Sequence, residues 1–377
     1  MSSTACLPAP SPAVPVTARV RPTRFVFIDS LRGLAAIGVV ACHFVPDSSL
    51  VPWLVEALMR KGSLGVQVFF VISGFVIAYS VRGTRINARY LGNFALRRSL
   101  RLDPPYWATI ACILLLAPLT HQLAPQSAYH GATVPQVLAH LAYIQNFLGY
   151  PDLCVVFWTL RLEVMFYVAF IILLGVAQRL GKTPDKTDDG AWRYPLMFIP
   201  LALLSLVAFT LQRGPGVLQY FHMFLLGALL WWTYDRRVTV GWLVTLLGAM
   251  GASLAFRMSW EVPVAITTAL AVYATGRAGR LTTWLDFRPL QYLGRISYSL
   301  YLIHAPVGGL VVAVGLCYGE SGPLASIVWN VLGVLVAFAA AEVLYHFVEA
   351  PSLAWARRFK RPGRPAVAAG FLTSASA

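Results

Sequence analysis

Charge is what this sequence has least of. Of its 377 residues only 12% are Asp, Glu, Lys or Arg, and just 15 are acidic. Soluble domains carry about 25% charged residues, so half that share cannot wet a soluble globule, and a soluble enzyme is excluded. With 58% hydrophobic residues the chain is not disordered either. Cysteine is also scarce. Cys6, Cys42, Cys112, Cys154 and Cys317 are odd in number and nowhere closely paired, which suggests neither a disulfide framework nor a CxxC metal site. No metal is expected. Residues 1–20 are rich in Pro, Ala and Ser and lack the continuous apolar run of a cleaved signal peptide, so residues 1–24 read as a disordered tail.

What the chain does have is long apolar runs, with a mean hydropathy of +0.67. A helical crossing needs roughly 20 apolar residues. Ten segments qualify, near 25–46, 63–80, 104–121, 157–177, 195–212, 217–234, 239–256, 261–275, 291–317 and 323–348. The expected fold is all-α, a polytopic integral membrane helical bundle of about ten transmembrane helices within residues 25–351. A basic tail follows at 352–377. Segment 122–156 is the longest external loop, and apolar 137–148 reads as a short re-entrant helix. No internal repeat is visible.

The net charge of +15 suggests nucleic acid until its placement is read. With the N-terminus inside, 24 of the 30 lysines and arginines fall on the cytosolic side and only Arg60, Lys61, Arg213 and Arg257 outside. That split satisfies the positive-inside rule over an even number of spans, with both termini cytosolic. No basic stripe with interleaved aromatics forms a groove. The expected partner is the lipid bilayer, not nucleic acid.

Several charged or titratable residues fall inside the spans: Arg32, His43, Arg161, Glu163, His222, His304 and Glu342. Such residues are costly in lipid and are functional candidates by default; the alternative is a buried ion pair that fixes packing. Arg32 and His43 are eleven positions apart, about 20° past three full turns at 100° per residue, so they share one helix face some 16 Å apart along the axis. Asp29 lies three residues before Arg32 and can orient it. Arg98 and Arg101 share a face just before Pro104 and Pro105, which are expected to start the third span. Arginine forks bind phosphate bidentately, although an ordinary positive-inside cluster is the competing reading.

In the fourth span, Trp158-Thr-Leu-Arg161-Leu-Glu163 points Arg161 and Glu163 to different faces. One would line a cavity and the other pair with a neighbouring helix, and Glu163 is the candidate partner of His43 or of an incoming hydroxyl. In the ninth span, Ser297, Tyr301 and His304 form one polar face, either functional or an interhelical hydrogen-bond seam. Cys42 sits about 100° round the helix from His43 and reads as inert packing. Phe347-Val-Glu349-Ala-Pro351 reads as a structural terminus.

These segments together resemble the acyltransferase-3 family of membrane-bound bacterial O-acyltransferases. The resemblance is carried by Asp29-Ser-Leu-Arg32-Gly33 with His43 eleven residues after the arginine, and by Gly65-Val-Gln-Val-Phe69-Phe70-Val-Ile-Ser73-Gly74-Phe75. It is also carried by Arg98-Ser-Leu-Arg101, by Trp158-Thr-Leu-x-x-Glu163 with Phe166-Tyr167, and by Ile296-Ser-Tyr298-Ser-Leu-Tyr301-Leu-Ile-His304. It implies transfer of an acyl group, often acetyl, from cytosolic acyl-CoA to a hydroxyl outside a bacterial cytoplasmic (inner) membrane. It also implies His43 as the catalytic residue, helped by Glu163, with Arg32, Arg98 and Arg101 serving the donor. Asp29, Trp158, Arg161, Tyr301 and His304 would support them.

Arg161 and Val164 depart from the family pattern, which bears on the acceptor rather than on the reaction. The expected acceptor is a sugar of a surface or exported polysaccharide; a lipid-linked glycan or a small secondary metabolite comes next. Neutral His43 would take the acceptor proton or form an acyl-histidine. A transporter is the rival class, but paired inverted halves with broken helices are not seen. A non-catalytic scaffold would not need Arg32 and His43 aligned.

Overall fold

Every one of the ten apolar segments folds as helix. The structure, a computed structural model, describes residues 24–123, 132–180, 194–319 and 322–359, with no strand among them. The helices are α1 (Val26–His43), α2 (Trp53–Arg60), α3 (Gly65–Ser80), α4 (Ala88–Leu123), α5 (Val134–Leu141), α6 (Phe157–Leu180) and α7 (Tyr194–Thr210). They continue as α8 (Gly216–Tyr234), α9 (Val240–Ser253), α10 (Glu261–Arg277), α11 (Arg288–Ile303), α12 (Gly309–Tyr318), α13 (Pro323–Leu344) and α14 (Ala350–Arg358). Phe25–Lys360 forms one compact unit. All but Arg24 of the expected N-terminal tail, and residues 360–377 of the C-terminal one, lie outside the described residues.

Six stretches are long and apolar enough to cross a membrane: Val26–His43, Trp53–Ser80, Ala88–Gln122, Phe157–Leu180, Arg288–Tyr318 and Pro323–Arg358. The other four expected spans fall short for identifiable reasons. The helices α7, α9 and α10 have 17, 14 and 17 residues. The 19-residue α8 carries Gln219 and His222, and is buried over most of its length from Phe221 to Trp232. Its surroundings are protein, so its sequence is not held to the hydropathy of a lipid-facing helix.

Three boundaries differ from expectation. Pro104 and Pro105 do not start a helix but lie inside α4, which runs unbroken from Ala88. The missing N–H groups there leave nearby carbonyls without helical donors, and buried helix neighbours make such breaks tolerable; one turn on, Thr109 Oγ1 back-bonds to the Pro105 carbonyl at 2.9 Å. The short helix expected within 137–148 forms earlier, at Val134–Leu141, where the Thr133 hydroxyl accepts from Gln136 N and caps it. The last helical stretch continues past 351 to Arg358.

The packing that positions the site is α1 against α11. A Cβ built on Gly294 would lie 2.2 Å from the Asp29 carbonyl oxygen, and one on Gly33 would lie 2.8 Å from Gly294 N. The two backbones therefore touch, as only small residues permit. His43 stands ten residues beyond Gly33 on α1, and His304 ten residues beyond Gly294 at the end of α11. Equal runs along two packed helices bring the two imidazoles together. At His304 the helix widens into a π-turn over His304–Gly308 that contains Pro306, whose missing N–H cannot continue an α-helical ladder. Such widened turns re-aim side chains and recur at functional sites.

Candidate active site

One cavity of about 80 Å³ brings together polar residues from α1, α3, α4, α6 and α11. It is lined by Arg32 of α1, Ser73 of α3, Arg98 and Arg101 of α4, Glu163 and Tyr167 of α6, and Ser297 and Tyr301 of α11, among others. Arg32 and Arg101 make no hydrogen bond or ion pair among the described residues. Arg98 lies 4.5 Å above the Tyr167 ring and donates to Ser80 Oγ at 3.4 Å. Three guanidiniums and one carboxylate line the cavity, a balance of charge and hydrogen-bond donors suited to an anion.

Glu163 belongs to this cavity. Its Oε1 accepts from Ser73 Oγ at 2.6 Å and from Tyr167 OH. The expectation that it orients His43 is therefore corrected. Glu163 lies one helical turn beyond Thr159, and Thr159 is the residue of α6 whose hydroxyl meets Tyr301 OH, at 2.6 Å. Thr159 donates to the Val156 carbonyl at 2.9 Å, so Tyr301 donates to Thr159. The Tyr301 ring sits edge-on to Phe69, with centroids 5.7 Å apart, and to His304, with centroids 6.1 Å apart. Tyr301 is the wall between the arginine cavity and the histidines.

His43 is exposed at the far end of α1. Its Nδ1 lies 2.8 Å from the Val39 carbonyl oxygen and 3.3 Å from Nε2 of His304, which is fully buried. His304 Nδ1 lies 2.9 Å from the Leu300 carbonyl oxygen. Arg32 and His43 thus occupy one face of one helix, at the two ends the sequence spacing predicts. Cys42 is not remote from this pair: its Sγ bonds to the Val39 carbonyl at 3.1 Å and comes within 3.5 Å of His43 Nδ1.

The remaining candidates lie apart. Arg161 is 8% exposed and pairs with Asp152, in the loop leading into its own helix, at 3.5 Å rather than with a neighbouring helix. Asp152 also accepts from Gln145 Nε2 at 2.8 Å, so Arg161 ties down the loop before α6. Trp158 packs against Phe70 and Tyr220 and is not among the residues that line the cavity. His222 bonds to Ser205 Oγ at 3.0 Å inside the α7–α8 packing, and Glu342 accepts from Tyr292 OH and pairs with His346. Glu349 accepts from Ser299 Oγ at 2.5 Å and from Ser299 N at 3.2 Å, which joins the last helices to α11.

Ser73, Tyr167 and Thr159 were not singled out from the sequence, although each stands in a recognised motif. Their signal was polarity on an otherwise apolar helix. Outside the spans, His140 is buried beneath the 143–156 loop. It accepts from Leu153 N at 3.0 Å and donates to the Gln136 carbonyl at 2.8 Å, and burial lowers its pKa.

Among known proteins, the family model described as "Acyltransferase domain" matches residues 25–346. The peptidoglycan O-acetyltransferase OatA of Listeria monocytogenes is 24% identical over 365 residues, covering 86% of this chain and 55% of the relative. The O-acetyltransferase OatA of Staphylococcus aureus is 23% identical over 362 residues, covering 86% and 56%. The acyltransferase MdmB of Streptomyces mycarofaciens is 25% identical over 386 residues, covering 88% and 93%. The chain spans about half the length of these two O-acetyltransferases. No solved structure matches it.

Proposed function

The chain belongs to the acyltransferase-3 family, and from that premise we propose that it moves an acyl group, acetyl in the first instance, from acyl-CoA to a hydroxyl across the cytoplasmic membrane. With the N-terminus in the cytosol, as the distribution of lysine and arginine along the sequence favours, the arginine cavity lies on the donor side and His43 on the acceptor side. The acceptor is a sugar hydroxyl of a surface or exported polysaccharide, a reading supported by relatives named as peptidoglycan O-acetyltransferases. The observation that carries it is the separation along α1 of Arg32, which joins Arg98 and Arg101 of α4 in one cavity, from the exposed His43 at the helix end, about 16 Å apart along the axis.

The cavity volume divides the donor. Sites for drug-sized molecules run about 300–1,000 Å³, whereas this one is about 80 Å³. It takes a thin chain and not a nucleotide. The nucleotide head of CoA stays at the cytosolic mouth with a phosphate on Arg98 and Arg101, and the pantetheine arm runs past Arg32 and Tyr301 toward His43. His43 takes the proton of the acceptor hydroxyl as its oxygen attacks the thioester carbonyl. The C–S bond breaks, CoA leaves as the thiolate, and the imidazolium returns the proton to that sulfur. Glu163 acts on the donor side, balancing the arginines.

The test uses membranes containing the protein, radiolabelled acetyl-CoA and a panel of glycan acceptors, with His43→Ala in parallel. Label reaching a glycan with the native protein and not with His43→Ala is the expected result. Absence of acyl-CoA binding, or binding unchanged in Arg32→Ala, overturns the donor site.

A further inference from the structure

The two histidines have their tautomers set by backbone atoms. A carbonyl oxygen can only accept. With His304 Nδ1 2.9 Å from the Leu300 carbonyl, the proton of neutral His304 sits on Nδ1 and its Nε2 carries a bare lone pair. With His43 Nδ1 2.8 Å from the Val39 carbonyl, His43 likewise carries its proton on Nδ1. The 3.3 Å contact is then a donor facing a lone pair, with the His43 Nδ1–H shared between Val39 O and His304 Nε2. His43 Nε2 is left unprotonated on the exposed side. That atom is the one available to react.

We propose that His304 is the positioning residue of the acyl-transfer site: its Nε2 accepts from His43 Nδ1–H, holds the ring with Nε2 facing the acceptor, and steadies the positive charge His43 gains. This rests on the reading of His43 as the reacting group. The role is the one a carboxylate plays in a Ser-His-Asp triad, carried here by a neutral imidazole. No carboxylate hydrogen-bonds to either ring among the described residues. Glu163, the acidic residue nearest in sequence logic, is held by Ser73 and Tyr167.

The length of the contact is part of the argument. At 3.3 Å it is longer than the 2.7–3.2 Å usual for such a donor, and in the resting state the Val39 carbonyl takes the larger share of the proton. Once His43 gains a proton on Nε2, its Nδ1–H belongs to a cation, and charge-assisted bonds are shorter and about twice as strong. The bond therefore strengthens as the reaction proceeds, and only interactions stronger in the transition state accelerate chemistry. A neutral partner suits a bilayer, where a permanent carboxylate would have to be desolvated. The other titratable groups against the pair are Cys42, 3.5 Å from His43 Nδ1, and Tyr301, in ring contact with His304.

The experiment follows carbethoxylation of His43 by diethyl pyrocarbonate against pH, read by peptide mass spectrometry on the purified full chain, with thermal melts to certify folding. The variants are His304→Gln, His304→Leu and His304→Glu. Carbethoxylation needs the bare nitrogen, so the midpoint of its rate reports protonation of His43. Gln keeps an acceptor near the Nε2 position and should hold the midpoint within about 0.3 pH unit, Leu should lower it, and Glu should raise it by about 1 unit or more, as a nearby opposite charge does. Acetyl transfer should fall at least about 100-fold in Leu, most of it in kcat, and return to within about 10-fold of native in Gln.

A purely structural His304 would not move the midpoint in opposite directions. Folded variants with one common midpoint overturn the proposal. If His43→Ala still transfers label, the parent reading fails instead; if His43→Ala is dead while His304→Leu is fully active, this inference alone fails.

Discussion

Replacing Gly294 by alanine should cost both stability and catalysis, and the structure gives the reason in ångströms. The new Cβ would stand 2.2 Å from the Asp29 carbonyl oxygen, where ordinary contact begins near 3.4 Å. Neither neighbour can swing away, because both are backbone. The helix α11 must back off α1 by about 1 Å, an overpacking cost of about 1–3 kcal/mol. The crossing point and the histidine pair lie ten residues apart on each helix, about 15 Å of rise. A shift of that size carried along α11 would take the His43–His304 contact from 3.3 Å to about 4 Å, outside hydrogen-bond range.

The assay is the melting temperature in detergent together with the carbethoxylation midpoint of His43. Gly248→Ala on α9 is the control: a Cβ there meets nothing within 4 Å, and removing a helical glycine gains about 1 kcal/mol. Opposite signs for the two glycines are expected. A Gly294→Ala protein that melts no lower than native and keeps the native midpoint refutes the backbone contact and the positioning argument built on it.

Arg32→Ala should weaken acyl-CoA binding about 10- to 100-fold, the value of one charge-assisted contact, with the melting temperature little changed because Arg32 has no protein partner among the described residues to lose; equilibrium binding of radiolabelled acetyl-CoA checks it. Glu163→Gln should change donor KM while leaving the His43 midpoint where it is, since Glu163 bonds to Ser73 and Tyr167 and not to His43; a midpoint that moves with Glu163 would restore the direct pairing. Arg161→Leu should lower the melting temperature and leave acyl-CoA affinity intact, because it leaves Asp152 without its charge partner in the loop before α6; a loss of donor binding would contradict that assignment. His140 should make stability fall in acid. Its pKa is lowered by burial, so its contribution is full above the ordinary histidine value near 6.5 and is lost as pH falls through the lowered one. Thermal melts of His140→Gln against pH should show a shallower acid limb.

The sequence by itself determined the helical class, the place of each apolar helix and the alignment of Arg32 with His43, but not how many of those helices are long and apolar enough to cross a membrane. These follow from local physics: hydropathy over one crossing, and a fixed turn of 100° per residue within one helix. It also marked Glu163 and His304 as residues costly in lipid, Arg98 and Arg101 as a candidate phosphate fork before a span, and Tyr301 as part of a polar helix face. Which of them meet is a different kind of fact. Sequence reasoning offered Glu163 as a partner of His43 or of an incoming hydroxyl, yet depth along separate helices depends on tilt and crossing. The structure puts Glu163 with the arginines, one turn below the Thr159 contact with Tyr301. The pairing of His43 with His304 spans 261 residues and rests on the glycine contact between α1 and α11 and on the widened turn at Pro306. The unbroken course of α4 through Pro104 and Pro105 was likewise not legible in the sequence, because proline is favoured as the first residue of a helix and is tolerated inside one only when packed in a protein or membrane setting. Local rules decide which face of a helix a residue occupies; what that face meets is decided by how closely two backbones can pack.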